Sequence, residues 1–336
     1  MQIDNSKLSG RRTGEFLLNN AVIIMMLVAA AAVSIMRPNF ISQYNIKNLI
    51  SNTSARFIIA LGVSGCLITK GTDLSAGRLV GLAACLSATF MQRLDYTSKV
   101  YPDMGEPPII WVFLGVVAVC MVFGLLNGLV VSKLNVPPFI ATLGMQTIVY
   151  GICLVYTGAQ PIGGLRKDYT NISSGSLFGS QFLPYLGIIA LLLGLIMWFV
   201  YNKTPHGKHM YAIGGNENSA EVAGINTTAT KIIIYTTAAC LYGIAGFLYG
   251  AKSGGASVNL GMGYELEAIA GCTIGGVSTN GGVGRISGML VGVLVFELLK
   301  IAMQFMGVPS DYTYIVQGLV IIMAVSLDIR KYVAKK

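Results

Sequence analysis

A polytopic, all-α membrane protein is what this sequence predicts, on three observations. Of its 336 residues, 54% are hydrophobic and only 11% charged, against roughly 25% charged in soluble domains. Apolar runs close to the ~20 residues that cross a bilayer as a helix recur along the chain. The polar intervals between them carry almost all of the Lys and Arg. Mean hydropathy is +0.68. Repeated apolar segments make one membrane domain over 1–336 the expected organisation, rather than a string of soluble domains.

The elements follow in order. Residues 1–15 are polar, with Lys7, Arg11 and Arg12. The run 17–36 is long enough to cross. An Arg pair before an Ala-rich apolar run also resembles a signal peptide, but the many spans that follow favour an uncleaved anchor. Residues 38–56 are mixed and read as interfacial. Two short apolar pieces, 57–69 and 79–91, flank the break at 70–78. A span over 109–131, a tight turn at Pro137-Pro138, a span over 139–156 and a Gly/Ser-rich loop at 157–181 come next. Spans at 183–201 and 232–251 bracket the polar interval 202–231. After the loop 252–265, the pieces 266–278 and 286–301 flank a second Gly-rich break at 279–285. A final span at 312–327 leads into a basic tail. The sequence thus offers about ten transmembrane segments, some short or broken. Paired short, Gly-interrupted segments point to broken helices around a pathway. The breaks share a weak repeat, Gly77-Arg78-x-x-Gly81 and Gly284-Arg285-x-x-Gly288. Small residues four apart (Gly124 and Gly128, Gly246 and Gly250, Gly288 and Gly292) let helix backbones approach closely.

Charge orients the bundle. With both termini cytoplasmic, the segments that fall inside carry 14 Lys or Arg and those outside carry eight, the expected positive-inside bias. The net charge of +9 is therefore flanking charge beside membrane lipid, and no nucleic-acid partner is expected. Cys66, Cys85, Cys120, Cys153, Cys240 and Cys272 lie in apolar stretches without C-x-x-C spacing, so they read as small packing residues.

The interval 202–231 is the longest polar stretch, and it falls on the cytoplasmic side. Pro205 and Gly207 act as breakers, a short apolar piece spans 210–213, and Gly214-Gly215 make a turn. Asn216 caps two helical turns over 217–222, closed by Gly224. A helix this short is marginal alone, so it reads as a docking surface.

Chemistry is scarce. No H-E-x-x-H, G-x-S-x-G or Walker A sequence occurs, and no enzyme activity, cofactor or metal site is expected. His206 and His209 read as solvated loop residues. Among intramembrane ionisable groups, Asp73 either caps the helix after it or, with Ser75, lines a pathway or gate. Glu267 sits at the mouth of the eighth span, where it would snorkel, cap or serve the same gate. Glu297 and Lys300, three apart, read as a neutralising pair rather than an ion route. With so few buried carboxylates, an ion-coupled carrier is the weaker alternative, and energy from a separate ATPase is favoured.

Three stretches carry a resemblance. Ile68-Thr-Lys-Gly-Thr-Asp73-Leu-Ser75-Ala-Gly77, then Tyr211-Ala-Ile-Gly214-Gly215-Asn216 with Ala220-Glu221-Val-Ala-Gly224-Ile, and 268–292 with Ile274-Gly-Gly-Val and Gly281-Gly-Val-Gly, together resemble the sugar permease subunits of bacterial ATP-binding-cassette importers of the ribose/galactose/xylose group. Arg56-Phe-Ile-Ile-Ala-Leu-Gly-Val, Thr72 and Arg78, and Leu134-Asn-Val-x-Pro-Phe-Ile look most like the galactose/methyl-galactoside branch. The resemblance implies a cell-membrane permease (the inner membrane where there are two) that works with an ABC ATP-binding subunit, an extracytoplasmic sugar-binding protein and a second permease copy. It makes Gly214, Gly215, Asn216, Ala220, Glu221 and Gly224 the element that couples to the ATPase. Ribose or xylose are the alternative sugars.

Overall fold

Two long helices set the frame of the computed structural model, which describes residues 21–177 and 183–333. The helices are α1 (Ala21–Met36), α2 (Gln43–Ile68), α3 (Ala76–Phe90), α4 (Ile109–Ser132), α5 (Pro138–Thr157), α6 (Lys167–Ser174), α7 (Tyr185–Lys203), α8 (Pro205–Gly215), α9 (Glu217–Val222), α10 (Thr227–Ser253), α11 (Tyr264–Ile274), α12 (Ile286–Phe305) and α13 (Ser310–Val333). Among the described residues there is no strand. The predicted polar start at 1–15, the positions 178–181 of the predicted loop and the last three residues of the basic tail lie outside them.

α2 and α10 form the centre. Every residue from 53 to 69 is buried, and α10 packs on α2, α3 and α4. The small-residue stripes are the seams of this packing. Gly124 and Gly128 face the α10 backbone at Tyr235 and Ile232, Gly246 and Gly250 face Val80 and Ala84 of α3, and Gly288 and Gly292 face Gly275 and Gly271. Around this core, α4, α5 and α7 turn exposed apolar side chains such as Trp111, Leu143 and Leu195 outward, as lipid-facing helices do. Smaller apolar clusters join α1 to α12, with α13 adding Val320.

Among the described residues, six helices (α2, α4, α5, α7, α10 and α12) are long and apolar enough to cross a membrane. Ten helices coincide with the ten predicted segments, but the pairing of short pieces needs correction. The predicted interfacial stretch 38–56 is a single turn at Pro38–Ile41 followed by the first half of α2. Several of its polar residues find partners within the protein: Asn45 Nδ2 donates to the Phe40 carbonyl (2.7 Å), Ser54 Oγ to the Ile50 carbonyl (2.6 Å), and Lys47 Nζ, at the surface, to the Ser174 carbonyl (3.0 Å). The 57–69 piece is therefore the end of a 26-residue helix. Likewise α12 has 20 residues, a full crossing of about 30 Å at 1.5 Å per residue. The short members are α3, with 15 residues, and α11, with 11; they reach only about 22 and 16 Å, less than the ~30 Å hydrocarbon core. Each follows a non-helical stretch, 69–75 and 254–263, that runs beside packed helices. Their N-termini meet: Gly77 faces the Gly261 carbonyl and the Glu265 carboxylate, and Arg78 donates to the Val258 carbonyl (3.1 Å).

The predicted loop 157–181 also contains α6. Its Tyr169 hydroxyl donates to the Phe247 carbonyl (2.6 Å) and Ser173 Oγ to the Leu248 carbonyl (2.8 Å), pinning the helix to α10. Eight mostly polar residues give too little periodicity to betray it. The loops gather in two clusters at opposite ends of α10. Residues near 91–93, 162–166 and 256 interlock at its C-terminal end. Those near 68–74, 142, 211–215 and 281–284 interlock at the other.

Candidate functional site

The polar interval 202–231 is almost entirely helical. Pro205 breaks the chain of helix, as foreseen, and also starts the next one: α7 stops at Lys203 and α8 begins at Pro205. Thr204 caps α8, its Oγ1 accepting from the Gly207 N–H (3.3 Å), and Pro205 takes the first helical position, where its missing N–H costs nothing. The helix then runs through Gly214 and Gly215, so the predicted Gly-Gly turn is absent. The chain turns at Asn216 instead, whose N–H closes α8 on the Ala212 carbonyl (3.0 Å) and whose Oδ1 opens α9 by accepting from the Ser219 N–H (3.0 Å).

α9 has the predicted limits, Glu217–Val222. The Gly224 N–H returns to the Glu221 carbonyl (2.8 Å) and the Ile225 N–H to the Ala220 carbonyl (3.0 Å), with Gly224 at φ +86°. Only glycine adopts that conformation without strain. Ala220 is buried under the helix. Two carboxylates tie α9 to the first turns of α10: Glu221 accepts from the Thr227 hydroxyl (2.6 Å), and Glu217 pairs with Lys231 (2.5 Å). Val222 points away, 91% exposed. Sequence reading passed over this valine, because a single apolar residue in a polar loop carries no pattern.

Half-burial, not open solvent, surrounds His206 and His209 on α8. Burial, with His209 alongside, lowers the His206 pKa below its ordinary value. Among the described residues no group of three or more His, Cys, Asp or Glu converges as a metal site.

The α8 end meets both breaks. The Gly282 N–H donates to the Ile68 carbonyl (2.8 Å), Lys70 Nζ donates to the Gly215 carbonyl (3.1 Å), and the Tyr211 hydroxyl donates to the Gly284 carbonyl (2.9 Å). Gly214 lies flat on this junction; a Cβ there would run into the Ile68 carbonyl and the Gly282 backbone. Three stretches remote in sequence thus share one backbone-to-backbone contact.

Asp73 and Ser75 lie beyond the junction, both buried. One oxygen of Asp73 accepts from the Ser75 N–H (3.0 Å) and hydroxyl (2.6 Å), which fixes the bend that opens α3. Asn127 Nδ2 then donates to Ser75 Oγ (3.0 Å), and the Leu74 N–H donates to Thr142 Oγ1 (3.1 Å). Asp73 does not cap α3, whose N-cap is Ser75 without a side-chain cap bond; its carboxylate closes the turn before the helix, and Ser75 and Leu74 anchor that turn to α4 and α5.

Glu267 lies in the first turn of α11, at the foreseen helix mouth, but it neither snorkels nor caps. It is 8% exposed inside an ionic cluster: Arg56 of α2 contacts it directly, Lys300 of α12 lies at 2.9 Å and Gln317 of α13 at 3.5 Å. Glu297 joins through Arg56 (3.3 Å) and Lys300 (3.7 Å), so the foreseen Glu297–Lys300 pair is one edge of a four-charge network. Arg56 also donates to the Tyr249 hydroxyl (2.9 Å) and lies 4.6 Å from the Tyr264 ring centroid. Reading 38–56 as interfacial hid Arg56. Its partners come from three other helices, α10, α11 and α12, not from its neighbours in sequence.

A family model described as the permease component of a branched-chain amino acid transport system matches residues 45–325. The chain belongs to this permease family. The galactose/methyl galactoside import permease of Haemophilus influenzae is 42% identical over 98% of this chain and 100% of its own length. That of Escherichia coli is 44% identical over 91% of this chain and 92% of its own. The ribose import permease of Bacillus subtilis is 36% identical over 89% of each chain. No solved structure matches. The permease is a multi-pass protein of the cell membrane, and the matched region takes in both breaks and all of the long apolar helices but the first two residues of α2.

Proposed function

We propose that this permease is the membrane-spanning subunit of an ATP-binding-cassette importer that carries a galactose-type monosaccharide into the cell. One observation supports the sugar: the relatives named for galactose and methyl galactoside match nearly end to end at 42% and 44% identity, whereas the ribose relative stands at 36%. The family description, which mentions branched-chain amino acids, covers a wider range of cargo than these relatives do.

In this reading two permease copies enclose the pathway, two ATP-binding subunits dock beneath them, and a soluble sugar-binding protein delivers cargo from outside. Both termini lie in the cytoplasm, and the ten segments cross or re-enter the bilayer. α9 is the docking element. It is too short to persist alone, but it is capped at both ends and tied to α10 through Glu217 and Glu221. A push on its exposed Val222 face therefore moves the base of α10, on which α2, α3 and α4 all pack. Closure of the ATPase pair on ATP shifts the bundle between two access states as a rigid-body switch. Gly214, Gly215, Asn216, Ala220, Glu221 and Gly224 build this element, and Asp73, Ser75 and Glu267 hold the breaks along the pathway.

Co-purification from native membrane in mild detergent tests the reading, with partners identified by mass and labelled-galactose uptake measured in the same cells. An ATP-binding-cassette ATPase at equal copy number is expected, with uptake that stops on ATP depletion and that galactosides compete for better than ribose or xylose. Recovery of the chain alone, with uptake that follows an ion gradient, would reassign it as an ion-coupled carrier.

A further inference from the structure

We propose that Lys70 is a positioning residue that carries the movement of α8 and α9 to the half-helix α3; the inference rests on the coupling role given to those helices above. Lys70 stands where α2 ends: its N–H closes on the Leu67 carbonyl (3.0 Å), and the next N–H, of Gly71, returns to the Cys66 carbonyl (2.8 Å). Its backbone sits at φ +60°, one of three non-glycine residues in that region among those described. A lysine adopts the left-handed region at a cost, and a glycine does so freely. Gly71 follows immediately, so flexibility is available in the sequence, yet a side chain is kept at position 70.

The geometry gives that side chain a task. Its stem lies against Gly281, and its ammonium reaches the Gly215 carbonyl in the last turn of α8 (3.1 Å), where a cation complements the helix dipole. One side chain thus bridges the end of α8 to the end of α2 across the 278–284 loop. From Lys70, the bend over 71–75 leads directly into α3, held by Asn127 and Thr142. Gly214 lets the α8 backbone rest on the Ile68 carbonyl as a fulcrum, and Lys70 is the tie beside it. The ammonium is exposed, so its hydrogen bond contributes little to stability. What it does contribute is a fixed distance between the cytoplasmic helices and the break.

The test uses the assembled complex in liposomes, with ATP hydrolysis and sugar uptake measured together for Lys70→Ala, Lys70→Gly and Lys70→Gln. Assembly with the ATPase should be unchanged in all three, since position 70 lies off the Val222 face. For Lys70→Ala and Lys70→Gly, sugar imported per ATP should fall about fivefold or more, the low end of a typical coupling between sites. Lys70→Gly should melt no lower than the parent, because the strained φ is relieved. Lys70→Gln keeps a donor and should restore coupling. Full coupling in Lys70→Ala and Lys70→Gly within an intact complex would overturn the inference and leave the importer reading standing. Parent complexes that contain no ATPase would overturn that reading itself. A large drop in melting temperature for Lys70→Gly would show a structural role and would also overturn the inference.

Discussion

Replacing Arg56 by Met should destabilise this permease more than almost any other single change, and removing a second charge should restore part of the loss. Arg56, Glu267, Glu297 and Lys300 form a neutral set with side chains 9%, 9%, 3% and 13% exposed. At 3.3 Å the Arg56–Glu297 attraction alone is about 5 kcal/mol at an effective dielectric of 20. Most of that offsets desolvation, but an orphaned partner leaves the desolvation uncompensated, and breaking a buried pair costs about 3–5 kcal/mol. Arg56→Met leaves two carboxylates on Lys300, a net buried charge of minus one. Arg56→Met with Glu267→Leu leaves only Glu297 and Lys300, again neutral, and should recover more than half of the loss. Thermal unfolding in detergent with a thiol-reactive dye reports this directly, because five of the six free cysteines are buried. The single variant should melt roughly 6–10 °C lower, on the scaling for large domains of ~2 °C per kcal/mol. A double variant less stable than the single one, or a single variant that melts like the parent, would refute the account of the cluster as mutually neutralising.

Other outcomes follow from the cytoplasmic helices. Gly224→Val forces a β-branched residue to φ +86° and should cost about 1–3 kcal/mol locally, unwinding the end of α9 and abolishing uptake while the bundle still folds; normal ATPase docking and uptake would remove this loop from the coupling role. Val222→Glu changes only an exposed side chain, so melting should hold while the ATPase is lost on purification; an unchanged complex would place the docking face elsewhere. His206 has a depressed pKa through burial and His209. The unfolded chain therefore binds the extra proton more readily, and stability should fall as pH drops through the ordinary value of 6.5. His206→Gln should flatten that slope, as measured by melting temperature between pH 7.5 and 5.5.

The sequence by itself determined what local rules can determine. Apolar length marks the helices that cross, because lipid demands internally satisfied backbones. Asn216 and Gly224 mark the limits of α9, since a cap and a left-handed stop act within a few residues. The resemblance in three motifs placed the chain in its family. Elsewhere local rules misled. Asn45 and Ser54 read as an interface but lie buried in α2, where a partner from the preceding turn or their own helix satisfies them. Gly214 and Gly215 read as a turn but continue α8, because the helix needs no Cβ where it rests on Ile68. Only the tertiary structure brought Lys70, Gly215 and Gly282 to one junction, and Arg56, Glu267 and Glu297 to one buried cluster. Those contacts join residues tens to hundreds of positions apart, and packing among helices, which no local pattern encodes, decides them.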